Sequence, residues 1–267
     1  MKILGKDSIK KARLSYLIGI LSVALIVSVI MGLKLGIMDV DWSTIVNVLL
    51  YKLVGVTPAG LRSDDVTVIY ELRLPRVILA ASIGMGLALS GVVMQSIVQN
   101  PLADPYILGL SSGSSLGATM AIFFGLADWF GVQAVGICAF IGCLLVSLFI
   151  VYLAESNKSI NNTVKLLLGG LAISAVCSSI SSFVVYMGNN KQGMESATYW
   201  LMGSVANARL ENVLVLLVIV VLAAIYFSSQ SRNLNLLLLG NEQAITLGCD
   251  MRPTVIRYLL INSLVIG

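Results

Sequence analysis

The sequence predicts an all-α protein whose helices cross a membrane several times. Hydrophobic residues make up 58% of the 267 residues, charged residues make up only 11%, and the mean hydropathy is +0.95. A water-soluble domain carries about 25% charged residues because its surface must be wetted. The apolar residues also fall into blocks of about 20, the length at which a helix spans the hydrocarbon core of a bilayer. No soluble-looking stretch is long enough to be a domain, so residues 1–267 are predicted to form one transmembrane domain.

The first apolar block, residues 14–33, follows a basic segment. This arrangement can be a secretory signal, but the block exceeds the apolar core of about 7–15 residues found in signals, and no small-residue cleavage site follows. We therefore expect a first spanning helix. Further spans are expected at 77–98, 106–127, 130–153, 166–187 and 212–230, and a seventh helix begins near Pro253. The 14 residues from Thr254 to Gly267 would reach about 21 Å as a helix, so we expect the chain to end within helix seven.

Residues 34–75 are the longest stretch expected outside the hydrocarbon core. Apolar residues recur there at helical spacing between Asp41 and Gly55, at Trp42, Ile45, Val46, Leu49, Leu50, Leu53 and Val54. This pattern predicts an amphipathic helix, which lies either at the membrane surface or as an ordinary cap on the bundle.

The distribution of charge favours a cytoplasmic N-terminus. With that orientation, the inner segments carry an excess of five positive charges, whereas the outer segments carry an excess of one negative charge. Cytoplasmic segments of membrane proteins are enriched in lysine and arginine. The basic residues, Lys158 among them, lie between apolar blocks, so the net charge of +4 indicates membrane orientation and no nucleic-acid partner.

The expected membrane interior lacks titratable groups. None of the six complete spans carries Asp, Glu, Lys, Arg or His in its core, which disfavours a proton-coupled carrier and an intramembrane enzyme. Cys138, Cys143, Cys177 and Cys249 form no metal-binding or disulfide pattern, so they are assigned to packing.

Small residues recur every four positions on the expected helices. Gly109, Gly113 and Gly117 share one face, and Gly170 begins a second ladder that continues through serines. In lipid, such ladders allow helices to pack closely. The serines of this second face offer a second interpretation, a polar translocation path formed by Ser174, Ser178, Ser181 and Ser182.

Four ordered blocks resemble the FecCD-type permeases, the membrane subunits of ABC importers for iron-siderophores, haem and cobalamin. The blocks are ELRLPRVILAASIGMGLALSGVVMQSIVQNPLADPYILGLSSGSSLGA (71–118), KLLLGGLAISAVCSSISS (165–182), YWLMGS (199–204) and LLLLGNEQAITLG (236–248). The resemblance implies ten helices per subunit, of which six to seven are expected here. It also implies a second permease subunit, a homodimer or close paralogue, with the path at the dimer axis.

The same resemblance implies the partners and the location of the chain. A cytoplasmic ATP-binding cassette ATPase would bind on one side, and an extracytoplasmic substrate-binding protein would dock on the other side of a bacterial or archaeal cytoplasmic membrane. The sequence has no phosphate-binding loop, so the chain binds no cofactor itself and its partner would use the ATP. Iron-siderophore is the expected substrate, ahead of haem and cobalamin.

Two groups of site residues are implied by the resemblance. Arg73 and Arg76 match arginines that face acidic residues of the binding protein, a role suited to guanidinium groups, although both could instead anchor the helix at the membrane interface. Glu242, Ala244 and Gly248 match the motif that couples the permease to the ATPase. There, Asn241 is the expected N-cap of a short helix and Gly248 its C-terminal stop.

Two kinds of alternative remain open at this point. The chain could be a secondary carrier or a channel that needs no ATPase. It could also be a scaffold or truncated fragment that does not transport. A soluble ATPase that copurifies with the chain would favour the importer.

Overall fold

The computed structural model describes residues 2–55, 61–106, 108–126, 134–155, 163–188 and 191–267, and every regular element in these ranges is helical. Parts of two expected spans, residues 107, 127 and 130–133, lie outside the described residues, as does Lys158. The helices are α1 (Lys2–Lys34), α2 (Trp42–Val54), α3 (Ser63–Val66), a π-helical segment (Thr67–Arg73), α4 (Leu74–Val98), α5 (Leu110–Phe123), α6 (Ala134–Glu155), α7 (Thr163–Met187), α8 (Lys191–Met202), α9 (Leu210–Ser229), α10 (Ser231–Leu238), α11 (Asn241–Thr246) and α12 (Met251–Ile266).

Five of the described helical stretches are long and apolar enough to cross a membrane. They are residues 13–34, 63–98, 134–153, 167–187 and 210–229. The second of these runs without interruption from α3 through the π-helical segment into α4. The polytopic helical bundle predicted from the sequence is therefore confirmed.

The expected span at residues 106–127 differs in length from the helix that forms. Helix α5 has 14 residues, which extend about 21 Å at 1.5 Å per residue. Gly109 and Gly125 have φ angles of 73° and 65°, and this left-handed conformation interrupts the helical path at both ends. Hydropathy alone does not predict that the helix ends at these two glycines.

The described residues form two compact units. The first comprises residues 1–81 and 205–214, and the second comprises residues 82–204 and 215–267. Both contain a buried apolar cluster of their own.

In the first unit, the core lies beside the C-terminal end of α1. Leu33, Val40, Ile45, Val48 and Ile69 form the buried cluster. The side chains of residues 13–28 of α1, in contrast, are all exposed. Among the described side chains, α1 is therefore held by its last turns, and residues 13–28 offer mostly apolar side chains to lipid.

In the second unit, α5 and α6 pack with their backbones in contact. A Cβ atom added to Gly117 would lie 2.0 Å from the carbonyl oxygen of Cys138, and one added to Gly142 would lie 2.2 Å from that of Gly113. Only glycine allows so close a crossing. Such contact supplies the van der Waals attraction that holds helices together in lipid.

Candidate functional sites

Arg73 lies at the end of the π-helical segment and is buried, with 8% of its surface exposed. Its Nη1 donates to the carbonyl oxygens of Leu33 at 2.8 Å and Lys34 at 2.6 Å, and its Nη2 donates to the carbonyl oxygen of Met38. The guanidinium is thus directed into the first unit. A carboxylate from outside would have to displace these bonds to reach it.

Arg76, three residues later in α4, is half-buried. Its Nε and Nη2 both donate to the carbonyl oxygen of Ala206, at 3.2 and 2.9 Å, and these bonds lie at the exposed surface. Among the described residues, no carboxylate forms an ion pair with Arg73 or Arg76; the ion pair found there joins Arg62 and Asp64. The two arginines predicted to act together therefore have different environments.

The four serines predicted to line a path all border one cavity in the second unit. Its volume is about 640 Å³, and no charged side chain lines it. Hydroxyl-bearing residues from α5, α7, α8 and the turn before α5 line it, together with a few apolar side chains. The hydroxyl-bearing residues are Tyr106, Ser111, Ser112, Ser115, Ser174, Ser178, Ser181, Ser182, Tyr186 and Thr198.

Ser181 differs from Ser174 in how its hydroxyl group is satisfied. The Ser174 hydroxyl donates to the carbonyl oxygen of Gly170 in its own helix, at 2.9 Å. The Ser181 hydroxyl is buried and has no hydrogen-bond partner among the described residues. A buried hydroxyl without a partner is costly, so this position has unused hydrogen-bonding capacity beside the cavity.

Gly109 and Gly170 bring α5 and α7 together at one end of this cavity. A Cβ atom added to Gly109 would lie 3.1 Å from the carbonyl oxygen of Gly170 and 3.1 Å from the hydroxyl of Ser174. The φ angle of Gly109 is 73°, and it serves as the N-cap of α5. The four-residue spacing predicted a helix-packing role for Gly109, but it did not predict that Gly109 would begin the helix.

The short helix expected after Gly240 is present as α11, but its cap differs from the prediction. The carbonyl oxygen of Gly240 accepts the first helical bond, from the amide of Ala244 at 2.9 Å, so Gly240 and not Asn241 is the N-cap. Gly248 has a φ angle of 84°, and the amide of Cys249 donates back to Ala244 at 2.9 Å. Gly248 thus lies just beyond the helix, in the position where glycine commonly stops helices.

The side chains around α11 face in different directions. Ala244, one of the expected coupling residues, is fully buried in its own chain. Its small size allows α11 to pack against α10 and α12, which it contacts. Glu242 and Gly248 are exposed, as are two apolar residues that sequence analysis missed, Ile245 and Leu247, at 54% and 55%. Hydropathy alone could not single them out in so apolar a chain.

The cysteines have no partners that suggest metal or redox chemistry. All four are free thiols. Within the described ranges, no group of three or more acidic or cysteine side chains could hold a metal ion.

Comparison with known proteins decides the family. The FecCD transport family matches residues 24–267, which is nearly the whole chain. The chain belongs to the FecCD transport family. The resemblance of its four sequence blocks to this family is therefore confirmed.

Relatives of this FecCD-family chain have different substrates in their names. A hemin transport system permease of Yersinia pestis is 35% identical over 74% of the chain and 59% of its own length. A molybdate import permease of Haemophilus influenzae is 33% identical over 90% of the chain and 68% of its own length. A cobalamin import permease of Halobacterium salinarum is 37% identical over 77% of the chain and 54% of its own length. The chain thus spans less than two thirds of two of these relatives.

A solved structure shares the fold of this FecCD-family chain. It is an inward-facing conformation of a metal-chelate type ABC transporter, with a TM-score of 0.77 and 30% sequence identity. The match covers 94% of the present chain and 73% of the solved one.

Proposed function

We propose that this FecCD-family chain is the membrane-spanning permease subunit of an ABC importer. Its substrate would be an iron-siderophore or a related metal chelate such as haem or cobalamin. The main support is the family match over residues 24–267, together with the structural likeness to a metal-chelate type ABC transporter. The hemin and cobalamin permeases among its relatives favour the same substrate class.

The energy for transport would come from a separate ATPase. The sequence contains no phosphate-binding loop. Helix α11 presents Glu242, Ile245 and Leu247 at its surface, and Gly248 ends it abruptly. A short helix that is packed on one face and exposed on the other suits contact with a partner, and we assign this partner as the ATPase on the cytoplasmic side.

A substrate-binding protein would dock on the opposite side, near Arg76. The guanidinium of Arg76 lies at the surface and has no carboxylate partner among the described residues. Guanidinium groups bind carboxylates strongly and directionally. A second permease subunit would complete the importer.

The cavity lined by hydroxyl groups would form part of the translocation path. Its lining offers hydrogen-bond donors and acceptors but no charged group that would hold a cargo tightly. A transport path must release what it receives. Ser174, Ser178, Ser181 and Ser182 are the residues that would line this part of the path.

Uptake by the reconstituted importer tests the proposal. The permease, as the cell produces it, would be placed in liposomes with its ATPase and its binding protein. ATP-dependent accumulation of a ferric siderophore, haem or cobalamin is the expected result. Uptake without any ATPase would contradict the ABC mechanism and favour a secondary carrier. Uptake of molybdate alone would contradict the chelate assignment.

A further inference from the structure

The C-terminal end of α1 has carbonyl groups that its own helix cannot satisfy. The last helical amide in this region, that of Leu35, donates to the carbonyl oxygen of Met31 at 2.8 Å. Within the described part of the chain, the following carbonyl groups accept no such backbone bond, as is usual at a helix end. Arg73 reaches across from the π-helical segment and donates to Leu33 and Lys34. It therefore acts as a long-range cap.

The charge of Arg73 suits this position. The C-terminal end of a helix carries partial negative charge, so a cation stabilises it, and more strongly where water is excluded. Arg73 also binds the carbonyl oxygen of Met38, beyond the end of α1. One guanidinium thus joins the last turn of α1 to the segment that leads into α2.

Two glycines allow close approach at this end of α1, one to Arg73 and one to α4. A Cβ atom added to Gly36 would lie 2.6 Å from Nη2 and 2.9 Å from Cζ of Arg73, so the guanidinium packs directly on the backbone there. A Cβ atom added to Gly32 would lie 2.9 Å from Cγ2 of Val77. The contact matters because the side chains of residues 13–28 of α1 are exposed, so the described contacts of this helix lie in its last turns.

We propose that Arg73 is a positioning residue that fixes the end of α1, which leaves Arg76 with the docking role already proposed for this segment. The assignment of Arg73 stands on the contacts described above. The assignment of Arg76 rests on the proposed function, because it requires a binding protein. The two arginines of the LRLPR segment therefore have separate tasks.

A cysteine pair measures the position of α1 without any partner protein. Gly32→Cys and Val77→Cys would be introduced into the permease after its four native cysteines are replaced by alanine. The close approach of residues 32 and 77 predicts a disulfide on mild oxidation. With Arg73→Ala, we expect disulfide formation to slow about tenfold, since the loss of one charged hydrogen bond is enough for that change. An unchanged rate would overturn the proposal for Arg73.

Rescue by the disulfide separates positioning from docking. In the assembled importer, Arg73→Ala should weaken binding of the substrate-binding protein, and the oxidised cysteine pair should restore that binding. Arg76→Ala should weaken binding about tenfold or more, reduce its dependence on salt and resist rescue. If the disulfide did not rescue Arg73→Ala, or if that variant changed the salt dependence as Arg76→Ala does, Arg73 would be a docking residue.

A second variant keeps the proposal testable if Arg73→Ala does not fold. Gly36→Ala leaves both arginines in place but forces the Arg73 guanidinium away. It should slow formation of the same disulfide. Gly19→Ala, within α1, is the control, because nothing lies within 4 Å of the added Cβ atom there. Equal disulfide rates for the two glycine variants would overturn the positioning role. If Arg76→Ala had no effect on binding, only the docking half would fail.

Discussion

At the scale of single residues, the contact of Gly117 with the backbone of Cys138 leaves no room for a side chain. We expect Gly117→Ala to destabilise the protein by about 1–3 kcal/mol, the usual effect of overpacking a close contact. The reason is the 2.0 Å separation between the added Cβ atom and the carbonyl oxygen, which forces α5 and α6 apart. Thermal unfolding of the detergent-solubilised protein would measure the change.

Gly136→Ala is the control for this prediction. Gly136 lies in α6, and nothing is within 4 Å of an added Cβ atom there. Because alanine favours helices over glycine by up to about 1 kcal/mol, this variant should be as stable as the original protein or slightly more so. Equal unfolding temperatures for the two variants would show that the helices do not cross as closely as described.

Ser181 offers a second prediction, because its buried hydroxyl has no partner among the described residues. Ser181→Ala should leave the protein at least as stable, since it removes a polar group that gains nothing from burial. Ser96 is the comparison: it is buried, and its hydroxyl donates to the carbonyl oxygen of Val92 at 2.9 Å. Ser96→Ala should be less stable than Ser181→Ala by about 0.5–1.5 kcal/mol. The reverse order in chemical denaturation would contradict this difference.

The roles of individual side chains were the least predictable part of the site. The motifs marked Arg73 for docking and Ala244 for coupling, whereas both are turned toward their own chain. The acceptors of Arg73 precede it by 35 to 40 residues. Their approach depends on how α1 and the π-helical segment pack, which local sequence does not specify.

At the scale of elements, α11 exposes an apolar residue at the turn that follows it, Leu247. If this surface contacts the ATPase, Leu247→Ser should weaken the association about tenfold, the effect of losing one well-packed apolar contact. Copurification of the ATPase and its stimulated activity would measure this.

Val54→Ser is the control for the Leu247 variant. Val54, at the end of α2, is exposed to a similar degree, 66%, and belongs to the other compact unit. It should leave ATPase binding unchanged. Equal effects of the two substitutions would indicate general loss of apolar surface and not a contact site at α11.

Helix α2 shows which features of an element the sequence specifies. Its bounds, Trp42 to Val54, agree with the apolar periodicity and with Gly55, which has a φ angle of 76°. Its buried face was not predicted: Val48 is fully buried, whereas Trp42 and Val46 of the expected stripe are exposed. In a helix with apolar residues around most of its surface, the neighbouring elements decide which ones are covered.

At the scale of the whole molecule, the orientation in the membrane is the main prediction from charge. With a cytoplasmic N-terminus, and with α5 counted as a crossing as the sequence predicts, Arg62 lies outside the cell and Glu242 lies inside. In a background without the native cysteines, a membrane-impermeant maleimide should label Arg62→Cys in intact cells. It should label Glu242→Cys only after the membrane is opened. Both positions are exposed, so differences in labelling would report the side of the membrane. The opposite pattern would reverse the topology.

Composition and block length were sufficient to predict a helical membrane protein, and four motifs were sufficient to predict its family. They succeed because lipid solvent imposes a minimum length and an apolar surface on every span. They do not reveal the two compact units, which arise from contacts between residues far apart in the chain. They also overestimate α5, whose ends are set by backbone conformation at Gly109 and Gly125.

The exposure of α1 has a consequence for how the chain tolerates change. The side chains between Arg13 and Ser28 are all exposed. This stretch therefore needs to be hydrophobic, but it does not need a particular sequence. An unrelated hydrophobic segment of equal length could replace this stretch if Gly32, Gly36 and the loop to Met38 were kept. The first helix thus tolerates exchange of its apolar sequence because only its last turns make specific contacts among the described residues.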